Sequence, residues 1–340
     1  MQNSKYKELY KEIEIIGKGS FGSATLIKKI STDQLYVAKK IELSNLSQKE
    51  QQKAKQEAEV LKQLEHPNIV AYEDSFIEKD TLIIIMEYCE EGDLSYHIKL
   101  QIVNRQNFPE RDILNWFIQL SSALIYIHQK KILHRDIKTQ NIFLAQNNTV
   151  KIGDFGISRV LQYTQEQAMS VVGTPYYMSP ELCKNQPYSS KSDIWALGCV
   201  IYQLCALKLP FDANNLMGLM QKIIKDKFQE IPQLYSQDMQ RLIEQILTKD
   251  EKLRSNLMDI LNQQFCKQVM QEFVNLEGNA QTIVYKKTHT NEEIQRMLDK
   301  LDESKESSCQ YAESNDFYLQ NILEQSVEQS PINIQRQNKN

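Results

Sequence analysis

Twelve consecutive residues, Asp193 to Leu204 (DIWALGCVIYQL), are apolar on nearly every face of a helix. A helix of that kind belongs in the middle of a domain, where other elements cover it on all sides. Leu114 to His128 reads as a second helix, with Trp116, Leu120, Leu124 and His128 in helical register. Before Gly92 the pattern is different. Ile13, Ile15 and Ile16 precede a glycine-rich stretch and Ala24, Leu26 and Ile27 follow it. Tyr36 to Ile41 and Leu82 to Met86 also read as strands, the last one buried. Ser44 to Leu64 reads as a polar helix stopped by His66-Pro67-Asn68. Strands first and helices after predict an α+β chain with a smaller β-rich part and a larger helical part.

Composition limits the function classes. The chain has 340 residues, 41% hydrophobic and 25% charged, in the range of a soluble globular protein. A net charge of −4 gives no electrostatic case for nucleic acid or an anionic membrane as partner. The six cysteines are scattered, with no CxxC pair and no histidine at metal-ligand spacing, so reduced thiols in cytosol or nucleus are expected rather than a disulfide framework or zinc site. The start, MQNSKYKELYKEIEII, has no apolar signal core, and the longest aliphatic run, Leu82 to Met86, is too short to cross a bilayer. Near Gln268 the composition turns to Gln, Asn, Ser and Glu, predicting a polar, mostly disordered tail over 268–340. One helix is expected there, near 291–302. Thr290-x-x-Glu293 is a capping-box pattern, and Ile294, Met297, Leu298 and Leu301 follow at helical spacing. Such a stripe could recruit a partner helix.

Three motifs carry chemistry. In Gly17-Lys18-Gly19-Ser20-Phe21-Gly22, glycines let backbone N–H groups approach phosphates. The rival reading, a dinucleotide-binding turn, requires a helix to follow, and Ser23 to Ile27 reads as a strand. The loop is therefore expected in a hairpin, as a flap over phosphates. On the strand facing that flap, Lys39 and Lys40 are adjacent, so only one can enter the cleft and pair with α- and β-phosphates; Lys39, seventeen residues after Gly22, is chosen because that spacing resembles the protein-kinase one. Lys40 points to the opposite face and is expected to be solvated, while Val37 shares the face of Lys39. A carboxylate is needed to hold a buried lysine, and Glu57 on the following helix is the candidate. The most specific signal is His134-Arg135-Asp136-Ile137-Lys138-Thr139-Gln140-Asn141, followed thirteen residues later by Asp154-Phe155-Gly156. Phosphoryl transfer from ATP needs metal ligands, a group that orients the hydroxyl, and a cation on the migrating charge. Asn141 and Asp154 offer oxygen to Mg²⁺, Asp136 can take the hydroxyl proton, and Lys138 can neutralise the γ-phosphate.

These motifs together resemble the protein kinase superfamily. Within it, HRDIKTQNIFL (134–144), GDFGISRVL (153–161), GTPYYMSPE (173–181) and KSDIWALGCVIYQLCALKLPF (191–211) resemble NIMA-related (Nek) serine/threonine kinases. The resemblance covers about residues 10–267. It implies a two-lobed fold, with a β-rich N-lobe over about 10–88 and a helical C-lobe over about 90–267. It also implies ATP and Mg²⁺, protein substrates modified on Ser or Thr, and a non-specific serine/threonine protein kinase activity. By position it adds Met86 as gatekeeper, Glu87 and Cys89 as backbone partners of adenine, and Ala24, Ala38 and Leu144 as walls on the ring. Ile16, Lys18, Ser20, Phe21 and Asp93 complete the implied nucleotide contacts. Ser170 would be the activating phosphosite, filled by an upstream kinase or by self-phosphorylation, and a phosphate there could pair with Arg135. Glu181 and Arg254 would form a buried ion pair, and Asp193 would brace the catalytic loop. Ile157 implies some preference for threonine acceptors. The family also implies a cytoplasmic setting at the cytoskeleton, basal body or cilium, or a role in cell-cycle progression. The competing readings are a pseudokinase scaffold, against which Lys39, Glu57, Asp136, Asn141 and Asp154 are all present, and a chain whose tail is the functional module.

Overall fold

A computed structural model describes residues 4–19, 22–44, 46–154, 175–275 and 289–306. A short helix, α1 (Lys5–Leu9), leads into strands β1 (Tyr10–Gly19), β2 (Gly22–Lys29) and β3 (Leu35–Glu42). Helix α2 (Gln48–Leu61) follows, shorter than the polar run Ser44–Leu64, because Ser44 lies in a turn and the helix gives way to a turn after Leu61. Strands β4 (Tyr72–Glu78) and β5 (Thr81–Glu87) complete an antiparallel five-stranded sheet in the order β1-β2-β3-β5-β4.

The two faces of this sheet have different neighbours, as the two-residue period of a strand requires. Tyr36, Ala38, Ile83 and Ile85 join Tyr6, Tyr10, Ile27 and Phe76 in one buried aromatic cluster. Ile41, Leu82 and Ile84, on the other face, join the main core with Ala54, Ala58 and Leu61 of α2. At the first turn of the sheet, Gly22 lies so close to β3 that a Cβ there would fall 1.7 Å from the Lys40 carbonyl oxygen. Only glycine fits.

The remaining part is helical apart from one hairpin. Helix α3 (Leu94–Asn104) is capped by Asp93, and α4 (Glu110–Gln129) follows. The hairpin β6 (Ile142–Ala145) and β7 (Thr149–Ile152) turns through Gln146, Asn147 and Asn148, the last two at positive φ (58° and 56°), with the Thr149 N–H donating to the Gln146 carbonyl at 3.3 Å. Then come α5 (Pro180–Cys183), α6 (Ser190–Ala206), α7 (Leu216–Lys225), α8 (Gln237–Ile246), α9 (Leu257–Leu261), α10 (Gln264–Asn275) and α11 (Asn291–Glu306). Helix α6 is the apolar segment, with Ile194, Trp195, Leu197, Val200, Ile201 and Leu204 all buried. The α8 helix approaches it so closely that a Cβ on Gly198 would sit 2.5 Å from Ile246. Among the described residues no helix is long and apolar enough to cross a membrane.

Candidate active site

The site lies where the five-stranded sheet meets the β6–β7 hairpin. Strand β3 carries Lys39, paired across the sheet with Ala24 on β2 and Ile84 on β5. Its Nζ forms an ion pair with the Asp154 carboxylate, which lies just past β7. Leu61, Val70, Tyr72 and Met86 wall a small cleft behind that pair. Ala24 also pairs with Gly17 on β1, so the glycine flap, the lysine and the wall residue share one stretch of sheet.

Two expectations about β3 need correction. Ala38 packs in the aromatic cluster on the face away from Lys39 and does not wall the cleft. Adjacent residues of a strand point to opposite faces, so Val37, paired with Met86, occupies the cleft side. Lys40 is not simply solvated. Its Nζ bonds Glu12 at 2.8 Å and lies 5.8 Å from the Tyr6 ring centre, on the outer face.

Beside the cleft, the loop from His134 to Asn141 is held by bonds to three places. The Nδ2 of Asn141 donates to the Asp136 carbonyl (2.9 Å) and to its carboxylate (2.8 Å). Lys138 Nζ lies 3.1 Å from the same carboxylate oxygen. The Gly153 N–H donates to the Asn141 carbonyl at 2.9 Å, joining this loop to the segment that carries Asp154. His134 is buried, and burial lowers its pKa, which keeps the imidazole neutral. In that form Nε2–H donates to the Gly153 carbonyl at 3.0 Å while Nδ1 accepts from the Asp136 N–H at 3.3 Å.

Below the loop, one carboxylate of α6 gathers four donors. Asp193 accepts from the His134 N–H (3.0 Å), the Arg135 N–H (3.0 Å), His128 Nε2 (2.8 Å) and the Tyr188 hydroxyl (2.6 Å). Burial acts to raise its pKa, but the bonds from His128 and Tyr188 outweigh that and leave it below the ordinary carboxylate value. Arg135 and Asp154 both adopt positive φ (68° and 52°), unusual for residues with a side chain. Tyr177 adds a further tie that local patterning did not reveal. Its hydroxyl donates to Gln203 of α6 at 2.6 Å and lies 3.1 Å from the Thr139 hydroxyl. The buried pair of Glu181 and Arg254 is bidentate, 2.8 Å on each arm, and Arg254 also donates to the carbonyls of Thr248 and Lys191.

The other sequence-derived positions fall as follows. Leu144 is buried on β6, and its N–H donates to the Gly92 carbonyl at 2.8 Å. Glu87 ends β5; its N–H is used by the Ala71 carbonyl, and its carboxylate accepts from Lys151 at 2.9 Å. Cys89 is buried, which pushes its thiol up to about 12. Asp93 spends one carboxylate oxygen on the Tyr96 N–H at 2.8 Å. Ile16 and Lys18 are exposed on β1, as the underside of a flap permits. Ser20, Phe21, Phe155, Gly156, Ile157, Ser170 and Thr174 lie outside the described residues, and so does the side chain of Glu57.

The donor set fits magnesium. Asp154 and Asn141 are hard oxygen donors on two segments tied by a backbone bond, and Mg²⁺ is ordinarily held by a few such groups together with substrate phosphates. No cluster of three or more His, Cys, Asp or Glu suited to a resident metal occurs among the described residues.

A five-stranded antiparallel sheet beside a helical part, with a lysine and paired acid and amide groups where they meet, is the architecture of a protein kinase domain. The family model for the protein kinase domain matches residues 10–266, and the chain belongs to the protein kinase family. Its relatives fall among Nek serine/threonine kinases. It is 46% identical to serine/threonine-protein kinase Nek1 of Mus musculus over 268 residues, 79% of this chain and 22% of that protein. It is 44% identical to Nek4 of Mus musculus over 76% of this chain and 32% of that protein. To probable serine/threonine-protein kinase nek3 of Dictyostelium discoideum it is 46% identical, over 77% of this chain and 24% of that protein. The chain thus spans roughly a quarter of the length of these three relatives, between 22% and 32%.

Proposed function

We propose that this chain is an active serine/threonine protein kinase that transfers the γ-phosphate of ATP to protein hydroxyls. The observation that carries the reading is a pair of charged contacts on segments tied by the Gly153–Asn141 backbone bond: Lys39 with Asp154, and Lys138 with Asp136, whose carboxylate Asn141 holds. Asp136 accepts the proton of the incoming alcohol as its oxygen bonds the γ-phosphorus. The bond from that phosphorus to the ADP oxygen breaks, and the electron pair leaves with ADP. Lys138 lies against the same carboxylate oxygen and neutralises charge on the migrating group. Lys39 would hold the α- and β-phosphates, and Asn141 and Asp154 would hold a Mg²⁺ ion, which supplies charge neutralisation when bound.

The test is transfer of radiolabelled phosphate to a mixed peptide library, with Asp136→Asn beside the native chain. Native transfer to Ser and Thr peptides, lost in the variant, supports the reading. ATP binding without transfer in both would make the chain a scaffold. The resemblance to Nek kinases extends the proposal to microtubule, cilium or cell-cycle regulation, with Ser170 as activating phosphosite. A tagged chain absent from basal bodies and spindles counts against the first part. Undiminished activity of Ser170→Ala counts against the second.

A further inference from the structure

The apolar stripe predicted to serve a partner is already covered within the chain. Ile294 and Leu298 of α11 are each 1% exposed and pack on Tyr96, itself 3% exposed, with Leu100, Ile102 and Val103 around them. The His289 N–H donates to the Tyr96 hydroxyl at 3.0 Å. The start of α11 is closed by a reciprocal cap, Thr290 N–H to Glu293 at 2.7 Å and Glu293 N–H to Thr290 at 3.2 Å. Helix α3 is thereby held from two sides, since Leu94 and Ile98 on its opposite face belong to the main core.

The covered helix leads directly to the nucleotide site. Its cap, Asp93, forms a bridge with Phe143 on β6, and Gly92 before it bonds Leu144 on the same strand. The Tyr96 ring meets the His97 ring edge-on at 5.0 Å, and His97 Nε2 bonds the Glu91 carbonyl at 2.7 Å. A continuous path therefore runs from Leu298 through Tyr96 and His97 to the connection between the two lobes.

We propose that residues 289–300 are a clamp, built into the chain, that fixes α3 and so steadies the hinge side of the nucleotide cleft. The proposal rests on the kinase reading above and adds a regulatory element to it. Coupling of this kind is reciprocal: what the clamp gives to nucleotide affinity, nucleotide returns to the docking of α11. Release of the helix, by a competing apolar helix or by modification of its face, would loosen the cleft.

The full chain carrying Ile294→Glu and Leu298→Glu tests this, with Leu298→Ala as a milder variant of the same direction. Hydrogen exchange is followed in α3 and in the central helix α6, and Mg-ATP affinity is measured alongside. The expected result is exchange in 94–104 faster by about tenfold or more, unchanged exchange in α6, and ATP affinity weaker by about fivefold. Leu298→Ala moves both in the same sense by less. Unchanged exchange in α3 overturns the docking. Faster exchange with native ATP affinity overturns the coupling. A native chain that fails to bind ATP would overturn the kinase reading and the coupling with it, while the exchange data still report on whether α11 docks.

Discussion

Asn141 donates two hydrogen bonds to one residue, Asp136, meeting its carbonyl and its carboxylate with a single amide nitrogen. On the proposed reading, the amide aims the carboxylate that would take the substrate proton and keeps its own oxygen for magnesium. Asn141→Ala removes both services. The expected outcome is a fall in kcat of about 10²-fold or more with the KM for the acceptor peptide changed little. Steady-state kinetics with saturating ATP measures it, and an unchanged kcat would show that Asp136 needs no such partner.

Lys39 and Lys40 are neighbours in sequence with opposite fates. Lys39→Met leaves Asp154 without its cation and the phosphates without theirs, and should reduce kcat/KM for ATP by about 10²-fold or more. Lys40→Met breaks only a partly exposed pair with Glu12, worth about 0–1 kcal/mol of stability, and should leave kinetics near native. Parallel kinetic and denaturation measurements separate the two. Equal kinetic losses would mean that the face assignment of β3 is wrong.

The Glu181–Arg254 pair is fully enclosed, so breaking it is worse than never having it. Glu181→Leu alone or Arg254→Met alone strands a buried charge and should destabilise by about 3–5 kcal/mol. The double variant should recover much of that loss. Chemical denaturation of all four proteins closes the cycle, and strictly additive losses would contradict the account.

Lys249 is an unusual cation. Burial lowers its pKa to about 8. Its Nζ lies 3.9 Å from the Phe211 ring centre and 2.5 Å from the Ile223 carbonyl. The folded state releases this proton more readily than the unfolded chain does. Between about pH 8 and the ordinary lysine value of about 10.4 the unfolded state binds more protons, so this group's contribution to stability rises with pH. Compared with Lys249→Met, the native chain should gain stability across that window, by no more than about 1.4 kcal/mol per pH unit. Urea midpoints of both proteins at pH 7.5 and 10 provide the check, and a parallel pH dependence would show that the amine is not desolvated.

What could be read beforehand was what repeats locally or what chemistry spells out. The octet His134–Asn141 and the central helix α6 stood out because each is a dense pattern of side-chain types. Val37 was legible too, since it shares the parity of Lys39, but family position pointed to Ala38, and the strand period decides against it. The β6–β7 hairpin was missed although Asn147-Asn148 is a turn signal, because its strands are only four residues each. The stripe on α11 was visible while its cover was not, as a stripe does not name what it packs against. The ties of Tyr177 to Thr139 and Gln203 and of Asp193 to Tyr188 and His128 join distant segments and leave no local trace.

The four donors on Asp193 decide which parts of the enzyme can travel. His128, His134, Arg135 and Tyr188 come from three stretches of chain, and a common anchor makes those stretches move as one body with α6. On the proposed kinase reading, opening for ADP would then fall to the sheet rather than to this anchored floor. A substitution at Asp193 would accordingly be felt as blurred aim of a carboxylate it never touches, and the turnover number would suffer before nucleotide affinity did.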